Sequence, residues 1–181
     1  MPAATVPGGR LVPIFDCYIV VPMDNGDFTI RLNNLPDISD SKTASYNDET
    51  VIGRASPLKT YAQSDNRTLS FQINLFVTQP GDVAYNLSCL RALQSAAYPR
   101  DGANGAPFVP PPVCRIKCGR LLADSGELCV ILKQYSVKFP TEVAWDENTL
   151  IPFKFSIDTS WDVVYKSSDL PGQQRIFSLG R

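Results

Sequence analysis

Hydrophobic and polar residues alternate with a period of two along much of this chain. The clearest run is residues 68–78: Leu69, Phe71, Ile73, Leu75 and Val77 take one side, Ser70, Gln72 and Asn74 the other, and Phe76 is the apolar exception. Such alternation predicts a strand with one face on a core and one facing water or another subunit. The same period runs through Phe28-Thr29-Ile30-Arg31-Leu32-Asn33, through residues 113–122, and through 127–139, where Tyr135, Val137 and Phe139 alternate with Ser136 and Lys138. A last long strand is expected through Phe153, Phe155 and Ile157 towards Trp161 and Val163. Asp24-Asn25-Gly26 separates the apolar run 15–21 from the run 28–33 and predicts a hairpin, since Asn and Gly tolerate the positive φ of tight turns. Asp124-Ser125-Gly126-Glu127 is a second turn signal.

One segment changes period. Pro80-Gly81-Asp82 opens a helix, with Asp82 as the expected N-cap. Val83, Leu87, Leu90, Leu93 and Ala97 recur at three- and four-residue steps as one apolar stripe suited to packing on a sheet, and Pro99 ends it. Residues 34–65 are polar and turn-rich and read as a long loop, with weak strand character near Thr50-Val51-Ile52. A second polar loop is expected from 141 to 149. Residues 1–12, rich in Pro, Gly and Ala, read as an arm, 13–165 as a single β-rich core, and 166–181 as a tail in which Ile176-Phe177 is apolar without a periodic context. The expected class is β-rich α+β: six to eight strands, one flanking helix and extended terminal arms.

Composition narrows the chemistry. The chain has 181 residues, of which 44% are hydrophobic and 19% charged, enough for one full core. It contains no histidine, so the commonest general base and metal ligand are both missing. A net charge of -1 gives no general attraction to nucleic acid or anionic membrane. No apolar run approaches the ~20 residues of a membrane span. The opening residues lack the basic and apolar regions of a signal peptide, which leads to an expectation of assembly in a cytoplasm. Five cysteines, an odd number at irregular spacing, do not make a disulfide framework. Cys114 and Cys118 fall on one strand face about 13 Å apart at ~3.3 Å per residue, too far for a disulfide, and read as small buried apolar side chains.

Candidate sites are weak. Asp48-Glu49 and Asp146-Glu147 are adjacent carboxylates in polar segments, without the cross-cleft placement that glycoside hydrolysis needs. Asn66-Arg67-Thr68 and Asn86-Leu87-Ser88 match the glycosylation sequon. No glycine-rich loop joins a strand to a helix. Arg115 and Lys117, with Arg120 near, share a strand face that reads either as an anion-facing patch or as an ordinary solvated face.

The stretch Val51-Ile52-Gly53-Arg54-Ala55-Ser56-Pro57-Leu58-Lys59-Thr60-Tyr61, followed by Asn66-Arg67-Thr68-Leu69-Ser70-Phe71, resembles the family of baseplate, tube-initiator and tube-adaptor proteins of contractile phage tails. It is similar also to the tube proteins of related injection machines. The order that follows fits: a leucine-striped helix, Pro111-Pro112-Val113-Cys114-Arg115-Ile116-Lys117-Cys118-Gly119, the 135–139 strand, Ile151-Pro152-Phe153 and a closing strand. The resemblance covers roughly residues 46–165 and contains no catalytic motif. It implies a tail-tube-like fold of two antiparallel β-sheets packed across one another, a sandwich or barrel with a flanking helix, of which six copies close into a homo-hexameric ring. It also implies a structural, non-enzymatic virion protein without cofactor or metal. Its partners would be itself, the tail tube and the baseplate hub and wedge proteins, with DNA passing transiently through the channel and no membrane. The long arm and tail depart from a plain tube subunit and favour an initiator or adaptor at the tube–baseplate junction. Arg54, Tyr61 and Arg67 are the expected interface residues, because Arg and Tyr dominate interface hot spots, with Ile176 and Phe177 of the tail beside them.

A function from another class stays open. The seven tyrosines and two tryptophans also suit a monomeric β-sandwich module binding carbohydrate or cell wall.

Overall fold

The structure, a computed structural model, describes residues 16–32, 34–79, 81–99, 109–119, 121–122, 126–147 and 150–165. The strands are β1 (Cys17–Met23), β2 (Gly26–Arg31), β3 (Ser39–Ser41), β4 (Ala44–Glu49), β5 (Leu58–Ser64), β6 (Thr68–Phe76), β7 (Cys114–Cys118), β8 (Leu128–Lys138) and β9 (Lys154–Val163), with one helix, α1 (Asp82–Ala97), after β6. Seven strands form one antiparallel sheet in the order β2-β1-β7-β8-β9-β6-β3, and β4 and β5 form a separate two-stranded sheet. The β-rich α+β class follows from these elements.

Alternation does what the sequence pattern requires. In β6, Leu69, Phe71, Ile73 and Leu75 are buried, and in β9 so are Phe155, Ile157, Thr159, Trp161 and Val163. Their pairing is in register, with Ile73 opposite Ile157 and Leu69 opposite Trp161, so both strands turn the same face inward. Cys17, Ile19 and Val21 of β1 and Cys114, Ile116 and Cys118 of β7 continue that face. Phe76, the apolar residue on the polar side of β6, lies under the Lys154 ammonium at 5.4 Å. Trp161 stacks on Phe71, and its indole N–H donates to Thr159 Oγ1 at 2.8 Å. That hydroxyl in turn donates to the Phe71 carbonyl at 2.9 Å, so a buried polar chain is satisfied within the core.

β8 is the seam of the sheet. Its first residues pair with β7 (Cys114 opposite Val130), while Val130 to Lys138 pair with β9. The register slips between Leu132 and Gln134, leaving Lys133 as an extra residue that bends the strand.

Helix α1 covers the inward face and touches β8, β1 and β6. Its buried residues are Asn86, Cys89, Ala92, Leu93 and Ala96. The expected stripe of Val83, Leu87, Leu90, Leu93 and Ala97 is therefore corrected: Leu93 is its one fully buried member, and the others are half-buried flanks. The reason is steric, since Cys89, Ala92 and Ala96 are small and let the helix axis approach the sheet closely. Asp82 also differs from its expected role. Gly81 holds the N-cap position, and Asp82, the first helical residue, reaches backwards. Its carboxylate accepts from Thr78 N (2.8 Å), Thr78 Oγ1 (2.6 Å) and Gln79 N (2.9 Å). Those bonds, the Thr78 side chain's first, hold the Asp82 carboxyl below its ordinary range.

The stretch 34–65 is not a loop. It holds β3, β4 and β5, while Thr50-Val51-Ile52, read as weakly strand-like, lies outside both strands between them. Every residue of β5 is exposed, so this hairpin shows none of the alternation that a buried face would impose. The second sheet is thus a projecting ribbon of the chain.

Candidate assembly surface

The hairpin is rooted in the main sheet. β3 pairs with the start of β6, with Asp40 opposite Leu69. The Asp40 carboxylate accepts from Arg67 Nε at 2.9 and 3.0 Å and from Arg67 Nη2 at 2.6 Å. Arg67 is 3% exposed. Burial works against the guanidinium's charge, but the hydrogen bonds and charge of Asp40, helped by Tyr165, outweigh it and raise the Arg67 pKa. Just outside this pair, Asp65 N–H donates to the Thr43 carbonyl at 2.9 Å, closing the base of the ribbon.

From that root the two strands run outward with Ala44 opposite Ser64 and Glu49 opposite Leu58, with one irregularity between Ser45 and Tyr46. Tyr46 and Tyr61 are paired and meet edge-on with centroids 5.8 Å apart. Lys59 Nζ donates to Asp48 Oδ1 at 2.7 Å, and on the opposite side Thr60 Oγ1 donates to Glu49 Oε1 at 3.1 Å. Asp48 and Glu49, adjacent in sequence, therefore serve opposite faces of a strand and form no carboxylate pair. At the tip, Arg54 N–H donates to the Val51 carbonyl at 3.2 Å, and Gly53 has φ +92°, which a side chain would strain. This turn holds Ile52 completely in solvent, at 104% exposure, with Val51 and Leu58 exposed nearby.

Two of the expected interface residues thus lie on the exposed ribbon. Arg54 is at the tip and Tyr61 on one strand face. Arg67 is placed differently: it is buried and committed to Asp40, and holds the ribbon's root. Ile176 and Phe177 lie outside the described residues. No sequence pattern marks Tyr46 or Asp40, and the weak strand character near Thr50-Val51-Ile52 does not become strand; the one available signal is Ile52-Gly53, an apolar residue beside a turn glycine in a polar stretch.

The outer face of the large sheet is filled by its own ion pairs. Arg115 bonds Glu127 at 2.9 Å and also Asp27, and Tyr18 donates to Glu127 at 3.0 Å. Lys138 meets Asp158 at 2.8 Å, and that bond, with one from Gln72, keeps the Asp158 carboxyl low. Lys117 lies 4.0 Å from Asp16. The Arg115/Lys117 face is consequently a paired, solvated face, while Arg120 lies outside the described residues. Asn86 of the second sequon is buried and donates to the Phe76 carbonyl at 3.1 Å, so the folded chain does not offer it for modification.

Sheet edges complete the surface. β3 covers only Thr68 to Ser70 of β6, so from Phe71 onward β6 has no strand beyond it among the described residues. β2 is the other edge. Among the described residues no group of three or more His, Cys, Asp or Glu side chains is placed to hold a metal ion, and no helix is long and apolar enough to cross a membrane.

No protein-family model matches this sequence, and no curated protein matches it.

Proposed function

We propose that this chain is a structural subunit of a contractile phage tail, an initiator or adaptor that forms a six-membered ring at the tube–baseplate junction. One observation supports the reading: residues 51–61, the first part of the stretch that resembles tail proteins, are exposed throughout. A ribbon with a fully exposed isoleucine and a tyrosine pair gains nothing from exposure in a lone molecule, whereas burying that apolar surface against a neighbour is favourable by about 25 cal/mol per Å². Arg54, Tyr61 and Ile52 are the contact residues in this proposal, and Arg67 fixes the angle at which they are presented.

The two-layer, tail-tube-like packing belongs to the same proposal. The ribbon of one copy supplies a second β-layer against the next, and the open edges of β2 and of the far half of β6 are further places for a neighbour. Heterologous, ring-closing contacts of this kind remove the liability of an unpaired edge. The ring leaves a central channel for DNA, with tube and baseplate hub or wedge proteins on its two sides, in the assembled virion.

Electron microscopy of the purified full chain tests this: six-fold rings are expected, and a population of single particles at every concentration would contradict it. A second reading, a monomeric carbohydrate- or cell-wall-binding module, draws on the exposed Tyr46/Tyr61 pair as a stacking surface. A glycan array with the same preparation separates the two, because specific binding by the monomer favours the module.

A further inference from the structure

We propose that Cys17 and Cys118 are a dithiol that closes under peroxide into a cross-strand disulfide, stapling β1 to β7. The backbone brings them together. They are direct register partners, and both are buried in the core. Gly119 N–H donates to the Asp16 carbonyl at 2.8 Å, which makes Asp16/Gly119 a hydrogen-bonded pair. Antiparallel pairs alternate, so Cys17/Cys118 is the non-hydrogen-bonded kind, with Cα atoms about 4.5 Å apart. That lies within the roughly 4.4–6.8 Å a disulfide spans. The sulfurs are 2.6 Å apart, with no disulfide between them.

No other pairing competes. Cys114 shares the inward face with Cys118 but sits two turns of the pleat away; Cys129 is opposite Arg115, on the outer face; Cys89 belongs to the helix. The two sulfurs share one hydrogen bond, so the S–H of either one favours the thiolate of the other. In the reaction, one thiolate of the pair, written here as that of Cys118, attacks one oxygen of hydrogen peroxide, releasing hydroxide and leaving a sulfenic acid. The Cys17 sulfur then attacks that sulfur, and the sulfenic hydroxyl leaves as water with the Cys17 proton. Two thiols and one peroxide become one disulfide and two waters. Burial restricts the site to an oxidant of this small size.

The bond would close a loop between residues 101 positions apart and fix the strand that follows the N-terminal arm. It does not depend on the assembly reading. The test treats the full chain with hydrogen peroxide, then alkylates it with iodoacetamide in denaturant and measures intact mass. Alkylation is expected at Cys89, Cys114 and Cys129 only, with a proteolytic fragment linking Cys17 to Cys118. The oxidised chain should melt about 10 °C above the phosphine-reduced one. The Cys17→Ser/Cys118→Ser variant should lose that shift; if it does not fold, the wild-type mass result alone decides. Alkylation of all five cysteines, linkage through a different pair, or separate sulfinic acids at Cys17 and Cys118 would overturn the proposal.

Discussion

Arg67 and Asp40 form a three-bond fork at the point where an exposed ribbon leaves a packed sheet, at 2.6 to 3.0 Å. The pair joins β3 to the start of β6 and so ties the base of the ribbon to the core. A guanidinium that is 3% exposed has no water to replace its partner. Removing Asp40 therefore strands a buried charge, and removing Arg67 strands its carboxylate. Arg67→Ala is expected to lower unfolding free energy by roughly 3 kcal/mol, and Asp40→Ala by a similar amount. Urea denaturation measures this. Amide exchange across residues 43–65 should speed up more than in β9, because the ribbon loses its root first.

A second expectation concerns the buried polar chain Trp161–Thr159–Phe71. Thr159→Val keeps the shape but removes both the acceptor for the indole N–H and the donor to the Phe71 carbonyl. A loss of about 2 kcal/mol is expected, with a changed near-ultraviolet signal from Trp161. Thr159→Ser retains the hydroxyl and should recover most of that loss.

Acid should weaken the entry to the helix. The Asp82 pKa in the fold lies below its ordinary 3.8, as does that of Asp158. A depressed folded pKa contributes stability that is fully present above the unfolded value and is lost as pH falls through the folded one. Urea midpoints should thus be flat above the ordinary carboxylate range and drop below it. Asp82→Ala should reduce that drop and destabilise the chain at neutral pH, because Thr78 and Gln79 lose their shared acceptor. An unchanged acid slope in this variant would contradict the assignment.

The elements that read correctly from sequence are those with one buried face. β6 and β9 alternate because half of each is in the core, and the β1–β2 turn carries its own signal. Here the register, with Met23 opposite Gly26, leaves Asp24-Asn25 as the loop and places Gly26 at φ +115°. β4 and β5 were illegible for the opposite reason. No residue pattern marks a strand with no inside, and Thr60, Lys59 and Gln63 look the same in a loop. The helix is legible but its buried line is not, because the large apolar residues define the sequence stripe while Cys89, Ala92 and Ala96 determine how close the helix packs. Arg67 was legible as a residue of consequence, but its burial depends on Asp40, 27 positions earlier, and no local pattern connects the two.

The tip of the ribbon supports a separation of folding from assembly. Ile52 is fully exposed, so Ile52→Asp should leave the unfolding free energy within about 0.5 kcal/mol of wild type. Tyr61→Ala loses only the edge contact with Tyr46 and should cost about 1 kcal/mol or less. Both should weaken self-association far more than they weaken the fold.

Native mass spectrometry of the wild-type chain beside Ile52→Asp is the most direct measurement. Wild type is expected near six times 19.9 kDa, and the folded variant at 19.9 kDa. A wild type that stays at the single-chain mass at every concentration, or a variant that still assembles in sixes, would contradict a ring built through the ribbon.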